Sequence, residues 1–165
     1  MTALRVPLTR AGIQALRAGE QVLLSGVVYT ARDAAHKRLV ELLDAGKPLP
    51  FPLEGGAIFY AGPCPAPPGR VIGSVGPTTS GRMDAYSPRL MREGFHIMIG
   101  KGPRSDAVRE AIRQSGCAYL SAIGGAAALT ARCVVKNELI AFGDLGTEAV
   151  YALTVKGLPL IVTDV

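Results

Sequence analysis

Three cations and a short run of hydroxyls carry the chemistry that this 165-residue sequence can offer. Gly76-Pro77-Thr78-Thr79-Ser80-Gly81-Arg82-Met83-Asp84 sets three consecutive hydroxyls and a guanidinium in a loop shaped by two glycines and a proline. Glycine tolerates close approach and positive φ, and proline freezes φ, so the loop can gather its polar groups around a small, oxygen-rich anion. Arg32 follows the apolar run 21–29, and Lys101 follows the run 95–100 with Gly100 and Gly102 beside it. Alone, such a loop reads as an ordinary turn with a surface arginine, and Lys101 as a solvated lysine. Cations recurring just past apolar runs point instead to a shared site.

The elements must put these residues together. The pattern predicts strands over 21–29, 57–61, 71–75, 95–100, 117–123, 134–142, 150–155 and 158–165. Helices are expected from an N-cap at Thr30 to about residue 45, over 84–92 (weakened by Pro88), over 106–115 and over 126–132 after Gly124-Gly125. Strands alternating with helices imply an α/β fold with a mixed sheet, most simply one domain over 1–165. Ligands of open α/β sheets collect beyond the carboxyl ends of strands, where helix N-termini point. If the strands before Arg32, Arg82 and Lys101 are parallel neighbours, the three cations share one cleft.

Arg32 is the most telling of them. A first-turn cation opposes the helix macrodipole, and residue 32 shares a face with Ala35, Leu39 and Leu43, so it points inward. A ligand contact explains this; a salt bridge to Asp33 is the alternative. Ser121 to Gly125 offers a fourth strand end, although tight packing explains its glycines equally well. His36 lies one turn beyond Arg32 at the edge of the same face, and His96 reads as a buried strand residue. No carboxylate pair or nucleophile–His–Asp set emerges. The chain supplies anion clamps and hydroxyls but no complete catalytic machine.

Composition narrows the partners. Net charge is +5, yet no Lys/Arg run exceeds two residues and Trp is absent, which argues against nucleic acid. Attraction of anionic metabolites explains the charge. No apolar run is long enough to span a bilayer, and the first residues do not read as a secretory signal, so a cytoplasmic setting is expected. Cys64, Cys117 and Cys133 match no metal spacing and read as structural.

Four ordered blocks together resemble one family: Tyr29-Thr30-Ala31-Arg32-Asp33-Ala34-Ala35-His36-Lys37-Arg38, Gly76 to Asp84, Gly100-Lys101-Gly102, and Tyr119-Leu120-Ser121-Ala122-Ile123-Gly124-Gly125-Ala126-Ala127-Ala128. They are similar to the iron–sulfur-dependent class I fumarate hydratases, in the C-terminal domain or separate β subunit, and to the L-tartrate dehydratase β subunit. The resemblance implies a swivelling three-layer β/β/α domain. It also implies a 4Fe–4S cluster held by an α subunit rather than by this chain, a hetero-oligomer inactive without that partner, and a tricarboxylic acid cycle role. By resemblance Arg32, Thr78, Thr79, Arg82 and Lys101 bind a small dicarboxylate, and Thr78, Arg82 and Lys101 are catalytic, with Thr78 as base. A threonine hydroxyl needs strong activation for that task. The reaction implied is (S)-malate to fumarate plus water, and the block Ser80-Gly81-Arg82-Met83-Asp84 looks more like the fumarase version. The alternatives are tartrate dehydration to oxaloacetate, although the tartrate dehydratases tend to a bulkier residue in place of Gly81 and to Glu in place of Asp84, and a non-catalytic dicarboxylate-binding module.

Overall fold

The computed structural model describes residues 1–123 and 127–165, so the Gly124-Gly125 opening of the helix expected over 126–132 lies outside the described residues, while the helix itself is seen over Ala127–Cys133. In chain order the elements are β1 (Thr2–Arg5), α1 (Arg10–Gln14), β2 (Gln21–Thr30), α2 (Asp33–Asp44), β3 (Ala57–Phe59) and α3 (Ser87–Arg92). They continue with β4 (Ile97–Gly100), α4 (Asp106–Ser115), β5 (Ala118–Ala122), α5 (Ala127–Cys133), β6 (Val134–Ala141) and β7 (Val150–Asp164). Two 3₁₀ turns, Ser80–Met83 and Gly143–Glu148, sit in the connections.

The fold is mixed α/β around a seven-stranded sheet ordered β1-β2-β3-β4-β5-β7-β6. Strands β1 to β5 pair in parallel, whereas β7 runs antiparallel to β2, β5 and β6. Because β7 pairs with both β2 and β5, the strands β2-β3-β4-β5-β7 close on themselves. Side chains alternate across each strand, so the sheet carries two separate apolar clusters. Phe59, Ile97 and Ile99 join Leu24, Leu153 and Leu160 in one. Ile58, Tyr60, Met98 and Tyr119 pack in the other against Leu39 of α2, Leu90 of α3, and Val108 and Ile112 of α4. Local signals agree with this packing in α4: the Ser105 hydroxyl accepts from Val108 N at its start, and Gly116 at φ 67° ends it.

Several expected elements are revised. The stretch 71–75 is not a strand. Its backbone bonds locally, with Cys64 N donating to Ser74 O and Gly73 N to Cys64 O, against a proline-rich segment short of ladder donors. Thr30 does not cap α2; it stays in β2, where its hydroxyl accepts from Tyr151 N, and Arg32 takes the N-cap position. The helix expected over 84–92 is shortened to α3, with Pro88 accommodated in its first turn, and a 3₁₀ turn over Ser80–Met83 precedes it. The two strands expected over 150–155 and 158–165 are one, continuing through Gly157 at φ 65°. Elements β1 and α1 went unread, since both are short and mostly exposed.

Candidate anion-binding site

Sheet register fixes where two of the cations emerge. Thr30 pairs with Phe59, and Phe59 with Ile99, so the three occupy one rung of parallel strands. Arg32, Ala61 and Lys101 each lie two residues past that rung. With β3 between β2 and β4, the backbones at Arg32 and Lys101 leave the sheet about 10 Å apart. Long side chains reaching inward from that separation can meet a small diacid from two sides.

The Gly76–Ser80 loop crosses between these exits. Thr78 N donates to Tyr60 O at 2.7 Å, and Ser80 N donates to Lys101 O at 2.8 Å. Bridges Ala61–Pro77 and Thr79–Lys101 hold it on either side. The loop is thus tied to the ends of both β3 and β4. A cavity of about 240 Å³ remains, lined by Arg32, Gly62, Gly76, Pro77, Thr78, Thr79 and Lys101.

Arg32 is built into this cavity. Its carbonyl accepts His36 N–H at 2.9 Å and the imidazole at Nδ1 at 2.8 Å, which anchors its backbone. Its Nε is buried without a hydrogen-bond partner. Gly62 makes room for the side chain: a Cβ there would meet Thr147 O at 2.5 Å and Arg32 Cδ at 3.1 Å. The alternative ion pair to Asp33 is not formed by Arg32. Asp33 is taken by Arg82, whose Nη2 stands 3.0 Å from Oδ2.

Arg82 therefore departs from expectation in one respect. It leaves a 3₁₀ turn rather than a strand end, and it is not among the cavity-lining residues. Its guanidinium, half exposed, is held at the carboxylate next to Arg32. Thr78, Thr79, Arg32 and Lys101 come together, with Arg82 alongside.

The histidines do not enter the cavity lining. His36 is fully buried, and burial pushes its pKa down to about 4 despite the Arg32 carbonyl. It is neutral at ordinary pH. His96 stands at the opposite end of β4, its pKa lowered chiefly by burial. Ser121 turns to β7, its hydroxyl 2.6 Å from that of Thr163. Gly100 is not free space for a ligand, because a Cβ there would overlap Ser80 Oγ and approach Tyr60 at 2.9 Å.

Residues 2–164 match the family model described as Fumarase C-terminus. The chain belongs to the fumarase C-terminal family. This fumarase C-terminal chain is 43% identical over 141 residues to the anaerobic class I fumarate hydratase of Escherichia coli, covering 84% of the chain and 26% of that protein. It is 41% identical over 146 residues to fumarate hydratase 2 of Leishmania major, covering 87% of the chain and 26% of the relative. It spans only about a quarter of the length of those enzymes. A putative L(+)-tartrate dehydratase subunit beta from Methanocaldococcus jannaschii is 37% identical over 161 residues, with 94% of the chain and 83% of the subunit covered.

The cysteines of this fumarase C-terminal chain do not suit a cluster. Cys64 is exposed and alone; Cys117 is buried, donating to Phe95 O, with its thiol pushed up to about 12 by burial. Cys133 is directed at Gly157 O. Among the described residues no three His, Cys, Asp or Glu side chains form a metal site.

Sequence reasoning passed over Arg104. Its side chain is fully buried and bonded to Asp84 at 2.7 Å, although it belongs to the short connection between β4 and α4. The one available signal was Asp84, a carboxylate in the chemistry-bearing loop with no assigned task.

Proposed function

We propose that this chain is the β half of a 4Fe–4S-dependent hydro-lyase interconverting (S)-malate and fumarate plus water, and that it supplies the carboxylate clamp. The cavity carrying Arg32, Thr78, Thr79 and Lys101, with the Arg32 Nε buried and unpartnered, is the observation that carries this reading. A buried donor without an acceptor is costly to leave so, and a substrate carboxylate satisfies it.

Dehydration removes a proton from the carbon next to one carboxylate and expels hydroxide from the adjacent carbon. Charge builds on that carboxylate as the C–H bond breaks, and fixed cations aimed at it stabilise the intermediate. Arg32 and Lys101 hold the diacid from opposite sides of the β3 exit. Arg82, released from Asp33, closes on it from the rim. Thr78, its backbone fixed to Tyr60 O, is the candidate base, and Thr79 orients the ligand beside it. The cluster and the group assisting hydroxide departure belong, in this reading, to an α subunit, and the chain is one swivelling β/β/α domain of the assembled enzyme.

Tartrate dehydration is the second reading, favoured by the archaeal relative of similar length that bears a tartrate dehydratase name. Co-expression with a cluster-bearing partner under anaerobic conditions separates the readings. Malate turnover by the pair, with none from the lone chain, is expected. A preference for tartrate, or dicarboxylate binding by the lone chain with no turnover from any pair, would overturn it.

A further inference from the structure

Beneath the cavity floor lies a buried polar assembly that the clamp itself does not use. The Arg104 side chain is fully buried, and its Nε donates to Asp84 Oδ1 at 2.7 Å. Its Nη2 donates to Ser87 Oγ at 2.8 Å, and Ser87 in turn meets the Tyr60 hydroxyl at 3.0 Å. The guanidinium lies over the Tyr60 ring at 5.2 Å and over the Tyr119 ring at 4.9 Å. Ser105 N donates to the other Asp84 oxygen at 2.7 Å.

Tyr119 carries the connection upward. Its hydroxyl stands 2.8 Å from both Ser80 Oγ and Gly102 O. One phenolic proton serves only one of them; the carbonyl can only accept, so a fully satisfied set has Tyr119 donating to Gly102 and Ser80 donating to Tyr119. Ser80 N meanwhile donates to Lys101 O. Both ends of the Ser80–Asp84 segment, together with the Lys101 and Gly102 carbonyls, are therefore referred to one guanidinium. A charge completely removed from water is tolerated only with such a full set of partners.

We infer that Arg104 is the positioning residue that locks the hydroxyl loop and the Lys101 arm into a single register through Asp84, Tyr60 and Tyr119. Its hydrogen-bond partners Asp84, Ser87 and Met98 are not among the cavity-lining residues, and it acts by fixing where Thr78 and Lys101 stand. This inference rests on the clamp reading above for its catalytic consequence, but not for its structural one. A planar fork seated on two rings is not replaced by an ammonium, so Arg104→Lys loses the register while keeping the charge.

The test uses Arg104→Lys and Tyr119→Phe, the second deleting only the hydroxyl that joins Ser80 to Gly102. Amide hydrogen exchange in the full chain is read at Thr78 and Ser80, whose N–H groups bond Tyr60 O and Lys101 O. Exchange there should accelerate about tenfold or more, while amides in the middle of α2 and β2 stay as in the parent. In the enzyme assembled with its partner, kcat for malate should fall about 100-fold with KM shifting far less, because misaligned clamps lose the transition state first. Unchanged exchange at Thr78 and Ser80 in either folded variant overturns the inference, as does accelerated exchange with undiminished turnover. If Arg104→Lys does not fold, Tyr119→Phe decides by the same criteria. Accelerated exchange together with a parent enzyme that does not turn over malate supports the register lock and sinks the clamp reading instead.

Discussion

At the scale of single residues, two arginines show how differently the same side chain can be used. Arg82 is half exposed and paired with Asp33 at the surface, so its ion pair is worth at most about 1 kcal/mol. Arg82→Ala should accordingly melt within a few degrees of the parent while the assembled enzyme loses about 100- to 1,000-fold in malate turnover. Unchanged turnover would remove Arg82 from the clamp. His36 affects stability rather than chemistry. Its folded pKa of about 4 lies below the ordinary histidine value, so below pH 6.5 the unfolded chain binds a proton that the folded chain refuses. Stability present at neutral pH is lost as pH falls from about 6.5 to 4, by about 3 kcal/mol for a shift of this size. Arg104 and Asp33 are the charges that act on the ring, in opposite directions, and both are weaker than burial. Urea unfolding of parent and His36→Asn across that range measures it: the parent should fall more steeply, and parallel curves would contradict the assignment. That Arg32, Thr78, Thr79 and Lys101 line one cavity was foreshadowed by an inward-facing cation at a helix start, a hydroxyl loop shaped by Gly and Pro, and a cation just past an apolar run. Arg104 was not, because burial of a guanidinium depends on rings and a carboxylate contributed by segments far apart in sequence.

At the scale of elements, the site is made by strand exits of equal length and by a loop with no regular structure. Parallel strands β2, β3 and β4 were readable from their apolar runs, and so was the placement of Arg32 and Lys101 beyond them. The segment 71–75 misled because its apolar residues Ile72 and Val75 are buried, as in a strand, while its backbone bonds to the Pro-rich stretch instead of a ladder. Periodicity reports burial and not the partner of a hydrogen bond. Gly100 gives a test of how closely loop and strand fit. A Cβ at this position would overlap Ser80 Oγ and press on Tyr60 within a fully buried strand. Gly100→Ala should therefore destabilise the chain by about 1–3 kcal/mol, the usual range for overpacking, and move the hydroxyl loop. Chemical denaturation of the purified variant checks this, and a stability equal to that of the parent would mean that the loop is not seated on β4 as described.

At the scale of the whole molecule, closing the strands through β7 leaves the parallel exits of β2, β3 and β4 gathered at one end of the sheet. That arrangement was only half visible beforehand. An α/β alternation was plain, but the long β7 read as two strands, and its pairings reach β2 from the far end of the chain, as in Gln21 with Ile161, and β5 across several intervening elements, as in Ser121 with Ile161. With net charge +5 and a polar cavity at that end, the molecule offers a surface receptive to small anions, as the proposed clamp requires. The decisive measurement is a crystal structure of the anaerobically assembled enzyme with (S)-malate bound. The expected result is one carboxylate within about 3.2 Å of both the Arg32 guanidinium and Lys101 Nζ, with Thr78 Oγ1 facing the carbon that loses its proton. Malate bound elsewhere, with Arg32 and Lys101 touching none of its oxygens, would contradict the clamp.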